Sequence, residues 1–357
     1  MRKKTTRPGG VNKWRITLCL LSSVLCLLTA ACSKPIVTQE SFVFGTRVEI
    51  LIADAPESEA RAAAAAVLRD FDELHRNYHA WQPSALTAVN DAIAAGKSLE
   101  VSEEMAGFIA DVQNLAQQSR YRFDPGIGHL IALWGFQSDE FTPQLPDPAA
   151  IAEWRARPAS IMQMHLAGRT VSSANPKVAL DFGGYLKGVA LDRAAARLKT
   201  AGIRNAIINI GGNVMALGDK YGKPWKIGIQ HPRRPGTLAT LELRDGEAIG
   251  TSGDYQRYFE LDGKRYSHLL DPQRGEPAQH TQALTLLIPP GTDAGVRSDV
   301  LSKPVFIAGA KGWREAAREL GLEQVLRIDA DGAIEVTAAL HKRLNFVDKT
   351  LNIKTVD

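Results

Sequence analysis

Leu238-Ala-Thr-Leu-Glu-Leu-Arg-Asp-Gly-Glu-Ala-Ile-Gly-Thr-Ser-Gly-Asp-Tyr-Gln-Arg-Tyr-Phe-Glu-Leu-Asp-Gly-Lys-Arg-Tyr-Ser-His-Leu-Leu270 is the run that decides the fold class. Residues 238–243, 248–252, 255–261 and 265–270 have strand character, and Asp245-Gly246 and Asp262-Gly263 stand between them as hairpin turns. Asp-Gly suits a two-residue loop because both positions tolerate a positive φ. Downstream, residues 283–288 read as a strand, 299–308 and 312–320 as helices, and 325–336 as a hairpin around Asp331-Gly332. Upstream, residues 41–52 read as one strand, and 57–78 as a helix with Val67, Leu68, Phe71 and Leu74 at helical spacing. Ser102, followed by Glu103 and Glu104, is an N-cap with an acidic first turn for a helix to about 119. Residues 142–158, rich in Pro and Asp, are expected to be irregular. Strands that arrive in hairpins, without a strict alternation with helices, predict an α+β fold and not a doubly wound sheet.

Between these halves lies Asp181-Phe-Gly-Gly-Tyr-Leu-Lys-Gly-Val-Ala-Leu-Asp192. Residues 177–182 are expected to be a strand, followed by a helix ending near Gly202 and a buried strand over 206–217, broken by Gly211-Gly212. A Gly pair lets the backbone approach a ligand closely, and the N–H groups of a helix start favour an anion such as phosphate. Lys187 adds a full charge at the same point, and Asp181 can accept hydrogen bonds from a ligand. A Gly pair here also serves as a plain strand-to-helix turn. Asp192 reads as a solvated or helix-pairing acid.

The N-terminus has the pattern of an export signal. Arg2, Lys3, Lys4, Arg7, Lys13 and Arg15 precede an apolar run over 16–31, too short to span a bilayer comfortably. The run ends Leu28-Thr-Ala-Ala-Cys32, which resembles a bacterial lipoprotein signal. The expectation is that residues 1–31 are removed, Cys32 is lipidated, 32–40 form a tether and 41–357 the folded domain. The protein would then be exported and anchored by lipid to a membrane, facing the periplasm. Its cysteines are Cys19, Cys26 and Cys32, so a processed chain holds only one and no internal disulfide. The formal charge of +4 also belongs to the signal, because without those six basic residues 37 basic face 39 acidic ones, a net of −2. That balance gives no sign of a nucleic-acid partner.

Further clusters follow the Gly-Gly motif's chemistry: Phe123-Asp-Pro-Gly-Ile-Gly128, Asn209-Ile-Gly-Gly-Asn213, Gly250-Thr-Ser-Gly-Asp-Tyr255 with Tyr266-Ser-His-Leu-Leu-Asp-Pro272, and Ser298-Asp-Val-Leu-Ser-Lys303. Their order and spacing resemble the ApbE family, the FAD:protein FMN transferases, over about residues 44–309. The resemblance implies a two-lobed α+β fold with a cofactor cleft between the lobes. It implies a reaction that splits FAD, joins FMN to a Thr or Ser hydroxyl of a target flavoprotein and releases AMP, with Mg²⁺. Phosphoryl transfer of this kind needs positioning, charge neutralisation and an activated hydroxyl. By position, the resemblance assigns Phe44, Trp81, Arg122, Phe123, Asp124, Asp181, Lys187 and Leu269 to the cofactor. It makes His268 the general base, a role suited to a group that titrates near neutrality. Gly184, through its carbonyl, and Asp299 go to the metal.

Three positions depart from the family pattern. Lys303 stands where a threonine normally completes the metal shell, Phe44 where Met is common, and Gly126 where Thr is common. An ammonium cannot ligate a cation. Either Ser302 supplies the metal oxygen while Lys303 turns away, or Lys303 itself replaces part of the metal's charge. Two alternatives therefore stay open, an FAD pyrophosphatase with water as acceptor and an FAD-binding lipoprotein that no longer catalyses. Simpler parts are expected for Asp271-Pro272 as a turn former, Asn213 as a turn cap, and Trp134 and Phe136 as core.

Overall fold

In a computed structural model, which describes residues 35–138 and 140–357, the chain is built on a nine-stranded sheet whose spatial order follows the sequence. Its strands are β1 (Val37–Val43), β2 (Thr46–Ala53), β3 (Asn205–Ile210), β4 (Asn213–Leu217), β5 (Ala248–Gly253), β6 (Thr281–Ile288), β7 (Val325–Asp329), β8 (Ile334–Thr337) and β9 (Ile353–Val356). Every neighbouring pair is antiparallel except β8 with β9. The helices are α1 (Glu57–Asn77), α2 (Ala85–Ala94), α3 (Glu103–Gln118), α4 (Gly128–Leu133), α5 (Pro148–Ala156), α6 (Leu186–Thr200), α7 (Ala294–Glu319), broken at Gly309 (φ 65°) into the two helical segments expected there, and α8 (Ala338–His341). This is the α+β class that the hairpin turns predict.

Both faces of the sheet are covered, so its central strands are apolar throughout and do not alternate. Ile50, Ile208, Met215, Leu284 and Leu286 point to the side of α1, α6 and α7, whereas Ile207, Ala216, Ile249, Leu287 and Leu326 meet a small sheet formed by Leu344–Phe346, Thr237–Leu243 and Trp225–Gln230. The two lobes implied by the family share one core: Leu86 and Val89 of α2 and Ile109 and Val112 of α3 lie in the same apolar cluster as the sheet. Among the described residues no helix is long and apolar enough to cross a membrane.

Several local expectations are corrected. The single strand over 41–52 is a hairpin, β1 and β2, that turns at Phe44 (φ 56°) and Gly45 (φ 67°). β1 begins at Val37, so part of the expected tether is sheet. The span 206–217 is likewise a hairpin, turning at Gly211-Gly212. Asp262-Gly263 closes a hairpin, but Asp245-Gly246 passes the chain from the small sheet to β5 and joins no paired strands. Residues 177–182 are not a strand. They are laced to their neighbours through Gly128 N to Ala179 O (2.7 Å), Asp181 N to Pro125 O (2.8 Å) and Leu180 N to Asn90 Oδ1 (2.7 Å). The expected irregular stretch contains α5, capped by Asp147 with Pro148 in the first turn. Trp154 of α5 donates to Pro272 O at 2.8 Å and fixes the Asp271 turn. Residues 1–31 and Cys32 lie outside the described residues.

Candidate active site

Helices α6 and α7 meet at two glycines. A Cβ on Gly188 would stand 2.6 Å from Val296 Cα, and one on Gly295 would stand 2.5 Å from Gly188 O. Only residues without a side chain let the two first turns touch. Each helix then caps the other. The first N–H groups of a helix lack intrahelical partners; Gly188 N donates to Asp299 Oδ2 at 3.0 Å, while Gly295 N and Val296 N donate to Asp192 at 2.7 and 2.9 Å. The sequence carries this arrangement as a repeat, Gly188-Val-Ala-Leu-Asp192 and Gly295-Val-Arg-Ser-Asp299. Asp192 is therefore no solvated acid. Its burial raises the carboxyl to about 6, against the pull of those two hydrogen bonds. Gly250 of β5 completes the seat of α7, since a Cβ there would stand 2.1 Å from Ser298 O.

The Asp299 carboxylate is buried and fully engaged. Oδ2 takes Gly188 N, and Oδ1 takes the Lys303 ammonium at 2.7 Å, which also donates to Asp299 O at 2.7 Å. Lys303 has not turned away. Its stem runs against Gly184, where a Cβ would stand 2.9 Å from Lys303 Cε and 3.4 Å from the Phe123 ring. Ser302 is the residue that faces elsewhere: its hydroxyl donates to Asp299 O at 2.8 Å and meets Ser252 Oγ at 2.8 Å, inside the core.

A hairpin of Tyr258–Leu261 with Lys264–Ser267 brings the remaining groups. Tyr258 pairs with Ser267, which sets Arg257 opposite His268. His268 Nδ1 lies 3.1 Å from Arg257 O. A carbonyl only accepts, so Nδ1 carries the proton and Nε2 keeps a lone pair for base chemistry. Burial, then the Arg257 guanidinium, pushes the His268 pKa down to about 3, with Lys187 and Lys303 adding to the shift, so the expected titration near neutrality is corrected and the imidazole is held neutral. The Arg257 guanidinium donates to Phe136 O at 2.9 Å and lies over the rings of Trp81 (5.8 Å) and Phe141 (5.4 Å). Lys187 is half-buried. Desolvation lowers its pKa, Asp299 opposes that, and Lys303 and Arg257 reinforce it. Burial raises the Asp181 carboxyl, while Gly183 N (2.7 Å to Oδ1) and the Arg257 charge pull it back.

Asp181, Gly184, Lys187, His268, Asp299 and Lys303 therefore come together, with Phe123 beneath the Gly pair. Trp81 joins through Arg257. Phe44 lies one step out, its ring 5.7 Å from His75, in a chain of rings that passes through His79 to Trp81. Arg122, half-buried, belongs to the loop that ends in Phe123. Two further residues assigned to the cofactor have structural contacts of their own. Asp124 turns its carboxylate to Gly126 N (2.8 Å) and Ile161 N (2.9 Å), so it braces the loop. Leu269 buries its side chain and gives its carbonyl to Ala278 N at 2.9 Å. Gly126 stands where Thr is common because a Cβ there would lie 2.4 Å from Ile161 N. Trp134 and Phe136 are core, stacked on Tyr266 and Phe259. Arg257 is the site residue that motif reading missed, although counting back from the Asp262-Gly263 turn sets it opposite His268.

The expected Mg²⁺ ligands do not fit a divalent ion. Asp299 already holds an ammonium and a helix N–H, Ser302 Oγ faces the core, and Lys303 is a donor and no ligand. Among the described residues no three His, Cys, Asp or Glu side chains gather where they could hold a metal. A groove of about 900 Å³ on α1 and α6, lined by Asp70, Glu104, Arg193 and Arg197 among others, shares no residue with the cluster. Its arginines are already paired with Glu104 and Asp70.

The cluster spans motifs that a model of the ApbE family matches over residues 44–326. The chain belongs to the ApbE family. It is 38% identical over 314 residues to the FAD:protein FMN transferase of Rhodobacter capsulatus, covering 88% of this chain and 59% of that protein. It thus spans less than two thirds of that relative's length. To the FAD:protein FMN transferase of Haemophilus influenzae it is 28% identical over 340 residues, covering 91% and 96% of the two chains. The crystal structure of the ApbE protein of Thermotoga maritima superposes with a TM-score of 0.78 at 29% identity, over 87% of this chain and 99% of that one. The α6–α7 crossing and the His268 hairpin are thus parts of an ApbE fold.

Proposed function

We infer that this chain transfers FMN from FAD to a Thr or Ser hydroxyl of a target flavoprotein and releases AMP. One observation carries the reading: Lys303 and Lys187 meet at Asp299, next to a neutral His268 that faces Arg257. Cationic side chains gathered at the carboxylates of Asp299 and Asp181 suit the negative charge of a diphosphate. The acceptor oxygen bonds to the FMN phosphorus as the P–O bond to AMP breaks. His268 Nε2 takes the hydroxyl proton. Lys187 and Arg257 hold the diphosphate oxygens, and Trp81, under the Arg257 guanidinium, gives an aromatic surface for one of the ring systems of FAD.

The basic and apolar N-terminal pattern ending at Cys32 supports an exported, lipid-anchored enzyme that faces the periplasm and acts on flavoproteins there. The test uses membranes from a strain of the source bacterium lacking this gene. Added full chain and FAD should produce a protein band that fluoresces as flavin on a denaturing gel. FMN released free, with no such band, would favour a pyrophosphatase. FAD bound without either product would identify a binding protein.

A further inference from the structure

We propose that the Lys303 ammonium is a built-in substitute for a divalent cation at the diphosphate of FAD. The proposal rests on the transferase reading and deepens it. A metal in this position would bind the Asp299 carboxylate and the Gly184 backbone. Lys303 occupies this place, because Nζ lies 2.7 Å from Asp299 Oδ1 and its stem packs against the Cα side of Gly184. An ammonium has three N–H donors, and Asp299 takes two of them through Oδ1 and its main-chain O. The third serves a phosphate oxygen.

The placement is held by the helix. Lys303 and Asp299 are four residues apart on α7, one turn along the same face. Their exposures differ in the sense required, 2% for the Asp299 side chain and 17% for that of Lys303. The carboxylate is sealed in, and the lysine side chain that it holds keeps some exposure. One charge replaces two, and Lys187, close enough to interact with both Asp299 and Lys303, adds to it. No proton moves at Lys303, whose part is to neutralise charge on the diphosphate while the P–O bond is exchanged.

The full chain is titrated with Mn²⁺ in the presence of FAD, following the paramagnetic resonance signal of the free ion, and FAD binding is followed by flavin fluorescence in EDTA and in Mg²⁺. Expected are no Mn²⁺ uptake beyond that of FAD alone and FAD affinities within about twofold in the two media. Lys303→Thr should take up Mn²⁺ and bind FAD about tenfold more weakly in EDTA than in Mg²⁺. Lys303→Met should weaken FAD in both media, by about tenfold to a hundredfold, the loss of one charge-assisted contact. Mn²⁺ uptake by the native chain, or flavin transfer that stops in EDTA and returns with Mg²⁺, overturns the proposal. Metal-independent FAD binding with no fluorescent band on the membranes would sink the transferase reading while upholding Lys303 as the cation.

Discussion

Gly188→Ala is the sharpest perturbation of the α6–α7 crossing. The added Cβ would lie 2.6 Å from Val296 Cα, 2.7 Å from Gly295 O and 2.9 Å from Val296 N, all backbone atoms. Carbon contacts are comfortable at about 3.5–4.0 Å, so α7 must retreat by about 1 Å. Overpacking of this kind costs about 1–3 kcal/mol, and three backbone clashes place it near the upper end. Alanine regains about 1 kcal/mol of helix propensity, which leaves a net loss of about 2 kcal/mol. The same retreat stretches the Gly188 N to Asp299 Oδ2 bond, now 3.0 Å, and carries Lys303 away from Gly184. A displacement of about 1 Å at a reacting centre is enough for about a hundredfold loss of rate. Gly107→Ala is the control, because this exposed position in α3 has nothing within 4 Å of an added Cβ. It should raise stability by about 0.5–1 kcal/mol. Thermal unfolding and the flavin band read the two effects. If Gly188→Ala melts with the native chain and transfers at the native rate, the crossing does not position Asp299.

His268→Gln should slow transfer by about 10²–10⁴-fold while FAD affinity, from flavin fluorescence, changes little. The folded pKa of His268 lies below its unfolded value, so the unfolded chain binds more protons between pH 6.5 and about 3, and this group's contribution to stability falls as pH drops through that window. Transfer should accordingly show no inflection from His268 near pH 6.5, and denaturant midpoints should decline less on acidification in His268→Gln. Arg257→Ala should weaken FAD by about tenfold to a hundredfold and move the His268 titration upward by NMR, since the guanidinium is the leading charge holding it down. Asp192, raised to about 6 when folded, is the opposite case: the folded chain binds the extra proton, so its contribution is lost as pH rises. The native chain should lose melting temperature relative to Asp192→Asn as pH rises from about 4 to about 7, and a constant difference would refute the buried cap.

The fold class was legible because Asp-Gly turns and helix caps are local signals: Asp262-Gly263 makes its hairpin and Ser102 caps α3 as expected. What failed locally was instructive. Asp245-Gly246 has the same dipeptide as Asp262-Gly263, yet the strands it joins lie in different sheets, and no local rule states which strands will pair. The helix over 148–156 was hidden by flanking Pro and Asp, although Asp147-Pro148 is itself a helix start. Asp124 resembles Asp181 in sequence, each a carboxylate after an aromatic or apolar residue at a Gly-containing turn. Only packing distinguishes the loop brace from the residue under the Arg257 charge.

Chemistry carried by neighbours in sequence was therefore available from the start: a lysine one turn into a helix after two glycines, a histidine before a turn, a carboxylate four residues from an ammonium. Burial and convergence were not. The two Gly-Val-x-x-Asp segments lie far apart in the chain and become reciprocal caps only when their glycines allow contact. The cation at Asp299 is set the same way, since residue type leaves open whether Lys303 turns out or in, and the direction follows from α7 being pressed onto β5 and α6. Close packing is a property of three dimensions, and it turned a departure from the family pattern into an ion pair at the site.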